Sequence, residues 1–182
     1  YMNTHLFPNL KTEGVPSFFK GYTYSIKYND LKSLKKIVSK DKDISSIIME
    51  VEREAKPKKN YLKSIRNLCN RLNICLIFDE CTTGFREVNG GIHLKYKINP
   101  DIAMFGKAIG NGHSITSIIG KKSIMKFSNK SFISSTFWSE RIGYVAGIAT
   151  LNEMKRIKSW DIIKRKGKKI KKLLNIEAKK NN

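Results

Sequence analysis

Apolar residues along this chain fall into two alternating patterns. Some recur at helical spacing and others form short continuous runs. Leu31, Leu34, Ile37 and Val38 stand at i, i+3, i+6 and i+7 behind Asn29-Asp30, which predicts a short amphipathic helix with a polar start signal. Ile44 to Met49 is a continuous apolar run closed by Glu50 and reads as a buried strand. Pro57 then precedes a helix with Leu62, Ile65, Leu68 and Leu72 on one face, and Ile74 to Phe78 forms the next strand. The order helix, strand, helix, strand predicts an α/β fold with a mostly parallel sheet and right-handed crossovers.

Downstream, Ile102 to Phe105 and Ile115 to Ile119 predict two further strands, the second ended by Gly120. Ser123 to Phe127 suggests a short helix. Glu140 to Trp160 is compatible with a long one, and Ser159-Trp160-Asp161 suggests a break before a final basic helix. Residues 1–25 hold Pro8, Gly14, Pro16 and Gly21 without clear periodicity and read as loops with one strand at most.

Two of the predicted strands end in residues able to do chemistry. Leu76-Ile77-Phe78 runs into Asp79-Glu80, and Ile102-Ala103-Met104-Phe105 runs into Gly106-Lys107, 28 positions beyond Asp79 (107 − 79). In open α/β sheets, ligands bind outside the carboxyl ends of the strands. An aspartate and a lysine delivered there can serve one cofactor, pyridoxal 5′-phosphate. The lysine forms the covalent link and the aspartate keeps the pyridine nitrogen protonated. Each also has a plain reading, Asp79 as a turn cap and Lys107 as one more surface lysine.

Composition changes the picture only in part. An aromatic content of 10% and a hydrophobic content of 40% argue for a folded core. With 36 Lys and Arg against 15 acids, the net charge is +21, which raises nucleic acid as a partner. The lysines, however, are spread over the whole chain without an Arg-rich or aromatic-interleaved tract. The densest segment, Lys164 to Lys172, reads as a solvated helix face. No apolar run reaches the ~20 residues of a membrane span. Cys69, Cys75 and Cys81 form no metal-site spacing, and an odd count without a secretory leader points to a reducing, cytoplasmic setting. The opening residue, Tyr1, reads as an internal position of a longer protein.

The segment Leu76-Ile77-Phe78-Asp79-Glu80-Cys81-Thr82-Thr83-Gly84-Phe85-Arg86 resembles a signature of the class III pyridoxal-phosphate-dependent aminotransferases, particularly the glutamate-1-semialdehyde aminomutase-like members. Pro100-Asp101 through Gly106-Lys107-Ala108-Ile109-Gly110-Asn111-Gly112 is similar to that family's cofactor-lysine segment. Ser135-Thr136-Phe137 with Ala146 to Leu151 resembles a third. The resemblance runs from about Gly14 to Leu151. It implies part of the large domain of the fold-type I transferases, over residues 1–152. Residues 153–182 would then be a basic helix leading into a shortened C-terminal domain.

It also implies roles. Lys107 would be the Schiff-base lysine, Asp79 the partner of the pyridine nitrogen and Cys81 a packing residue against the ring. Thr136 would bind the cofactor phosphate from the neighbouring subunit of a homodimer. The implied reaction is transamination or aminomutation of an amino acid, amino sugar or keto-type small molecule. Gly110-Asn111-Gly112 reads as room for close backbone approach, Glu80 as structural support, and His113 as a lesser acid/base candidate.

Departures touch the substrate side. Glu50-Val51 replaces the family's Glu-Pro, Glu52-Arg53-Glu54 follows where substrate contacts are expected, and Trp138-Ser139-Glu140-Arg141 replaces the relatives' Ser-Gly-Asn-Pro. The family's upstream phosphate loop and stacking aromatic have no counterpart in these residues. The alternative reading is therefore a catalytically inactive remnant with a basic, anion- or nucleic-acid-binding surface.

Overall fold

The computed structural model describes residues 16–19, 21–134 and 136–181. Most of the expectation for residues 1–25 therefore lies outside the described residues. Over the described part of that stretch there is a 3-10 turn, Ser17–Phe19, and no strand.

Helix α1 spans Leu31–Lys40. Asp30 caps it, its carboxylate accepting the Ser33 amide at 3.0 Å and the Ser33 hydroxyl at 2.6 Å. Strand β1 is Ser46–Glu50, α2 is Tyr61–Leu72 and β2 is Cys75–Asp79. Helix α2 buries Tyr61, Leu62, Ile65, Leu68 and Cys69 and ends where Asn73 turns left-handed, donating its amide to Cys69 O. Leu72, expected on the buried face, is the last residue of α2 and is 39% exposed.

A short helix α3, His93–Tyr96, precedes β3, Ile102–Phe105. Strand β4, Ser117–Gly120, is followed by α4, Lys122–Met125, and a 3-10 turn over Lys126–Lys130. The long terminal pattern resolves into α5, Arg141–Ile157, and α6, Ser159–Lys180, separated by Lys158 at φ +51°. The basic helix thus begins at Ser159, and residue 153 lies inside α5.

The sheet has four strands in the order β1-β2-β3-β4. The first three are parallel and β4 is antiparallel to β3, so the sheet is mostly parallel, as the sequence pattern predicts. The register places Glu50 beside Asp79 and Asp79 beside Met104. Leu76 and Phe78 face a core formed with α1 and α2, in which Leu34, Val38, Ile65 and Leu68 are buried. Because side chains alternate along a strand, Asp79 projects to the other face. Tyr28 pins the end of β1 to this core, its hydroxyl donating to Val51 O.

Candidate active site at the carboxyl edge of the sheet

Adjacent acids at the end of β2 have opposite environments. Asp79 is half-buried on the open face, while Glu80, one residue on, is 0% exposed on the core side. Glu80 is fully engaged. It accepts the Thr83 hydroxyl at 2.5 Å, the Ile92 and His93 amides at 3.0 Å each, and lies 2.8 Å from His93 Nδ1. Burial pushes the Glu80 carboxyl up, but the hydrogen bonds from His93, Thr83 and Ile92 outweigh it and the pKa is lowered. Glu80 is the structural support that its position suggests. It folds the loop from Cys81 to Ile92 back onto the sheet end. Gly91 makes room for this, since a Cβ there would lie 2.4 Å from His93 Nδ1 and 2.8 Å from Glu80 Oε1.

Strands β2 and β3 are neighbours and parallel, so the residues that follow them emerge side by side. Asp79 Oδ1 accepts the Cys81 amide at 2.9 Å. Lys107 follows Gly106, is exposed, and begins a 3-10 turn over Lys107–Ile109 at φ +48°. Its Nζ donates to Thr82 Oγ1 at 2.7 Å. Cys81 lies between the two groups and packs toward Gly106, its Sγ 3.4 Å from where a Gly106 Cβ would be. Burial pushes the Cys81 thiol up, the Asp79 carboxylate adds to this, and the Lys107 charge opposes it. Asp79, Cys81, Thr82 and Lys107 therefore share one edge. An open cleft of about 420 Å3 runs beside it, lined by Lys107, Phe85, Arg86, Asn111 and Met154.

Other candidates fall elsewhere. Thr136 is exposed in the turn 136–139 ahead of α5, and Ser135 lies outside the described residues. His113 is exposed on the loop beyond Lys107. The expected close backbone approach at Gly110 is real but is made to the chain itself. A Cβ there would lie 2.3 Å from His113 O.

Glu52, in the segment expected to touch substrate, is buried and accepts the Tyr96 hydroxyl, with Lys95 Nζ at 3.6 Å. Exposed Arg53 pairs with Glu50 at 3.3 Å. Cys69 is buried, which pushes its thiol up to about 11, and Cys75 and Cys81 are half-buried.

Sequence reasoning missed three partners. His93 and Thr82 act on Glu80 and Lys107 through loop geometry that has no period. Asp101 stands in the sequence as part of the Pro100 to Gly112 segment. It is buried, accepts the Leu76 amide and Arg66 at 2.8 Å each and pairs with Lys121 at 2.6 Å, locking α2 to the start of β3. The Gly90-Gly91 pair before His93 was the one available signal of a close approach there.

A carboxylate and a primary amine on one sheet edge, with a residue of modest size between them, fit part of the donor set that pyridoxal 5′-phosphate uses. Comparison with known proteins agrees with this chemistry. The chain matches the family described as Aminotransferase class-III over residues 4–182. It is 37% identical over 167 residues to a 3-aminobutyryl-CoA aminotransferase of Cloacimonas acidaminovorans, covering 86% of this chain and 40% of that protein. It is 36% identical over 151 residues to a glutamate-1-semialdehyde 2,1-aminomutase of Methanobrevibacter smithii, covering 79% of this chain and 36% of that one. The chain thus spans well under half the length of these curated relatives.

Its fold is similar to that of an ornithine aminotransferase from Toxoplasma gondii, with a TM-score of 0.73 at 23% identity over 87% of this chain and 40% of that one. An S-selective transaminase from Arthrobacter sp. with alanine bound gives a TM-score of 0.70 at 23% identity, over 82% of this chain and 34% of that one. The strand-end aspartate, the Gly-Lys turn and these likenesses converge, and the chain belongs to the class III aminotransferase family.

Proposed function

We propose that the protein of which these residues form part transfers amino groups, between two small molecules or within one, using pyridoxal 5′-phosphate held at the edge formed by Asp79 and Lys107. The observation that supports this most is the side-by-side emergence of Asp79 and Lys107 from adjacent parallel strands. When bound, the cofactor supplies an electron sink for the charge left by departure of a substrate Cα proton.

The chain's own residues supply the rest. Lys107 is the covalent anchor, and its Nζ is the group at this edge able to take and return a proton. Asp79 offers a carboxylate that would keep the cofactor's pyridine nitrogen protonated. Cys81 packs beside the ring and, with its thiol pushed up by burial, takes no acid/base part. Thr136, exposed in its turn, serves as a phosphate ligand to the neighbouring subunit of a homodimer. Residues 1–152 then belong to the cofactor domain, and the basic helix after it leads toward a C-terminal domain. The setting is the cytoplasm. Among the described residues, no helix is long and apolar enough to cross a membrane.

The relatives' printed activities frame the substrate range, namely an aminoacyl-CoA or a small amino acid or amino aldehyde. The test is a panel of amino donors and keto or aldehyde acceptors with added cofactor, run beside a Lys107→Ala variant. Amino transfer that is lost in the variant supports the reading. Anion or nucleic-acid binding with no cofactor-dependent amino transfer in the full-length protein would overturn it in favour of the inactive remnant.

A further inference from the structure

Lys107 is a flexible side chain on an exposed turn, yet its amine has a defined partner. Nζ donates to Thr82 Oγ1 at 2.7 Å. We infer that Thr82 is the positioning residue of Lys107, holding the amine over the carboxyl edge of β2. The inference rests on Lys107 being the reactive amine.

Thr82 is itself held from both sides. On one side, the Cys81 amide donates to Asp79 Oδ1 at 2.9 Å. On the other, Thr83 donates its hydroxyl to Glu80 Oε2 at 2.5 Å. The backbone is tied further, by Gly84 N donating to Glu80 O at 2.7 Å and Arg86 Nε donating to Thr82 O at 2.8 Å. The fully buried Glu80, bonded to the His93 side chain and the Ile92 and His93 amides, anchors this loop to the sheet. A hydroxyl on so restrained a loop is a fixed point for a mobile amine.

The chemistry of the hydroxyl suits the task. It carries one donor and two acceptor sites. It can accept from a charged ammonium and donate to the lone pair of a neutral amine, so the contact survives a change in protonation of Lys107. A methyl in the same place can do neither. The positive φ at Lys107 directs the side chain from a backbone that L residues seldom adopt, so the amine's approach is set by the turn as well as by Thr82.

The test compares the full protein with Thr82→Val and Thr82→Ser variants, using two readouts. Competitive acetylation followed by peptide mass spectrometry measures the reactivity of Lys107 against that of Lys121 and Lys122 in the same sample, without cofactor. Cofactor titration with borohydride trapping measures the fraction of Lys107 converted. Thr82→Val should change relative labelling of Lys107 and weaken cofactor capture by roughly tenfold, the factor carried by one hydrogen bond to a charged group. Thr82→Ser should restore both, and thermal unfolding should match among the three proteins. Wild-type labelling and capture in Thr82→Val would overturn the inference, as would a Thr82→Ser protein that behaves like the valine variant. If no protein captures cofactor at Lys107, the functional reading fails, while the labelling ratio still decides the role of Thr82.

Discussion

Helices α2 and α5 both carry apolar residues and meet different fates. α2 buries Tyr61, Leu62, Ile65, Leu68 and Cys69 against the sheet. α5 is longer, yet the residues it buries are Gly143 and Gly147, which approach Ser114 and Ile115. Ile142, Val145 and Ile148 of α5 are 58%, 65% and 62% exposed. The apolar residues of α2 lie on one face, whereas those of α5 are spread around the helix, so the two differ both in pattern and in what faces them. The surface that α2 needs lies in β1 and β2, whereas nothing among the described residues covers the outer face of α5. The half of the molecule around Asp79 is self-complementary and can hold the site rigidly. The half after β4 leaves apolar side chains of α5 exposed among the described residues.

The largest effect should come from breaking the closed half. Phe78→Ala removes a fully buried ring beneath the site and should cost about 3–5 kcal/mol of stability, read by chemical denaturation. Next, Glu80→Gln replaces one oxygen of a buried carboxylate with an amide NH2, which in either orientation meets a backbone N–H, that of Ile92 or that of His93, and should cost about 3 kcal/mol.

The Glu80 variant also has a pH signature. The folded pKa of Glu80 is lowered, so the stability it contributes is complete above the ordinary glutamate range and is lost as pH falls through the lowered folded value. The wild-type protein should therefore lose more stability on acidification than Glu80→Gln. Equal acid sensitivity would remove the clamp from the account.

A third substitution separates stability from chemistry within the same half. Asp79 is half-buried and accepts one backbone amide, so Asp79→Asn should leave the melting curve nearly unchanged. In the full-length enzyme it should lower turnover by about 3 kcal/mol of barrier, roughly two orders of magnitude. The smallest effect belongs to the open half. Val145→Ser and Ile148→Ser should shift stability by less than about 0.5 kcal/mol. Residues 1–182 expressed alone should self-associate on size-exclusion chromatography, and the two serines should reduce that association. A large loss of stability would mean that α5 is packed as α2 is.

Much of the closed half was legible in the chain. Helical spacing behind Asn29-Asp30 placed α1, and the apolar runs before Glu50, Asp79 and Gly106 placed the three parallel strands to within two residues. These signals are local, and burial on one face forces them. The antiparallel direction of β4 was not legible, because a four-residue run has no polarity of its own. The joint between α5 and α6 was legible to within one residue from Ser159-Trp160-Asp161, though not its cause, the left-handed Lys158.

Within the site, the strand ends pointed to Asp79 and Lys107 because chemistry gathers at such ends. Their supporting contacts were invisible. Glu80 and His93 are 13 residues apart across a loop, and Thr82 meets Lys107 only after β2 and β3 have paired. Exposed Thr136 owes its place in the account to resemblance alone.

The most direct test of the central claim is to map the lysine that holds the cofactor. The full-length protein is incubated with pyridoxal 5′-phosphate, reduced with borohydride and digested, and the modified peptide is sequenced by mass spectrometry. The account predicts a single dominant adduct on Lys107, in the peptide that follows β3. A dominant adduct on any other of the chain's many lysines, with Lys107 unmodified, would contradict it.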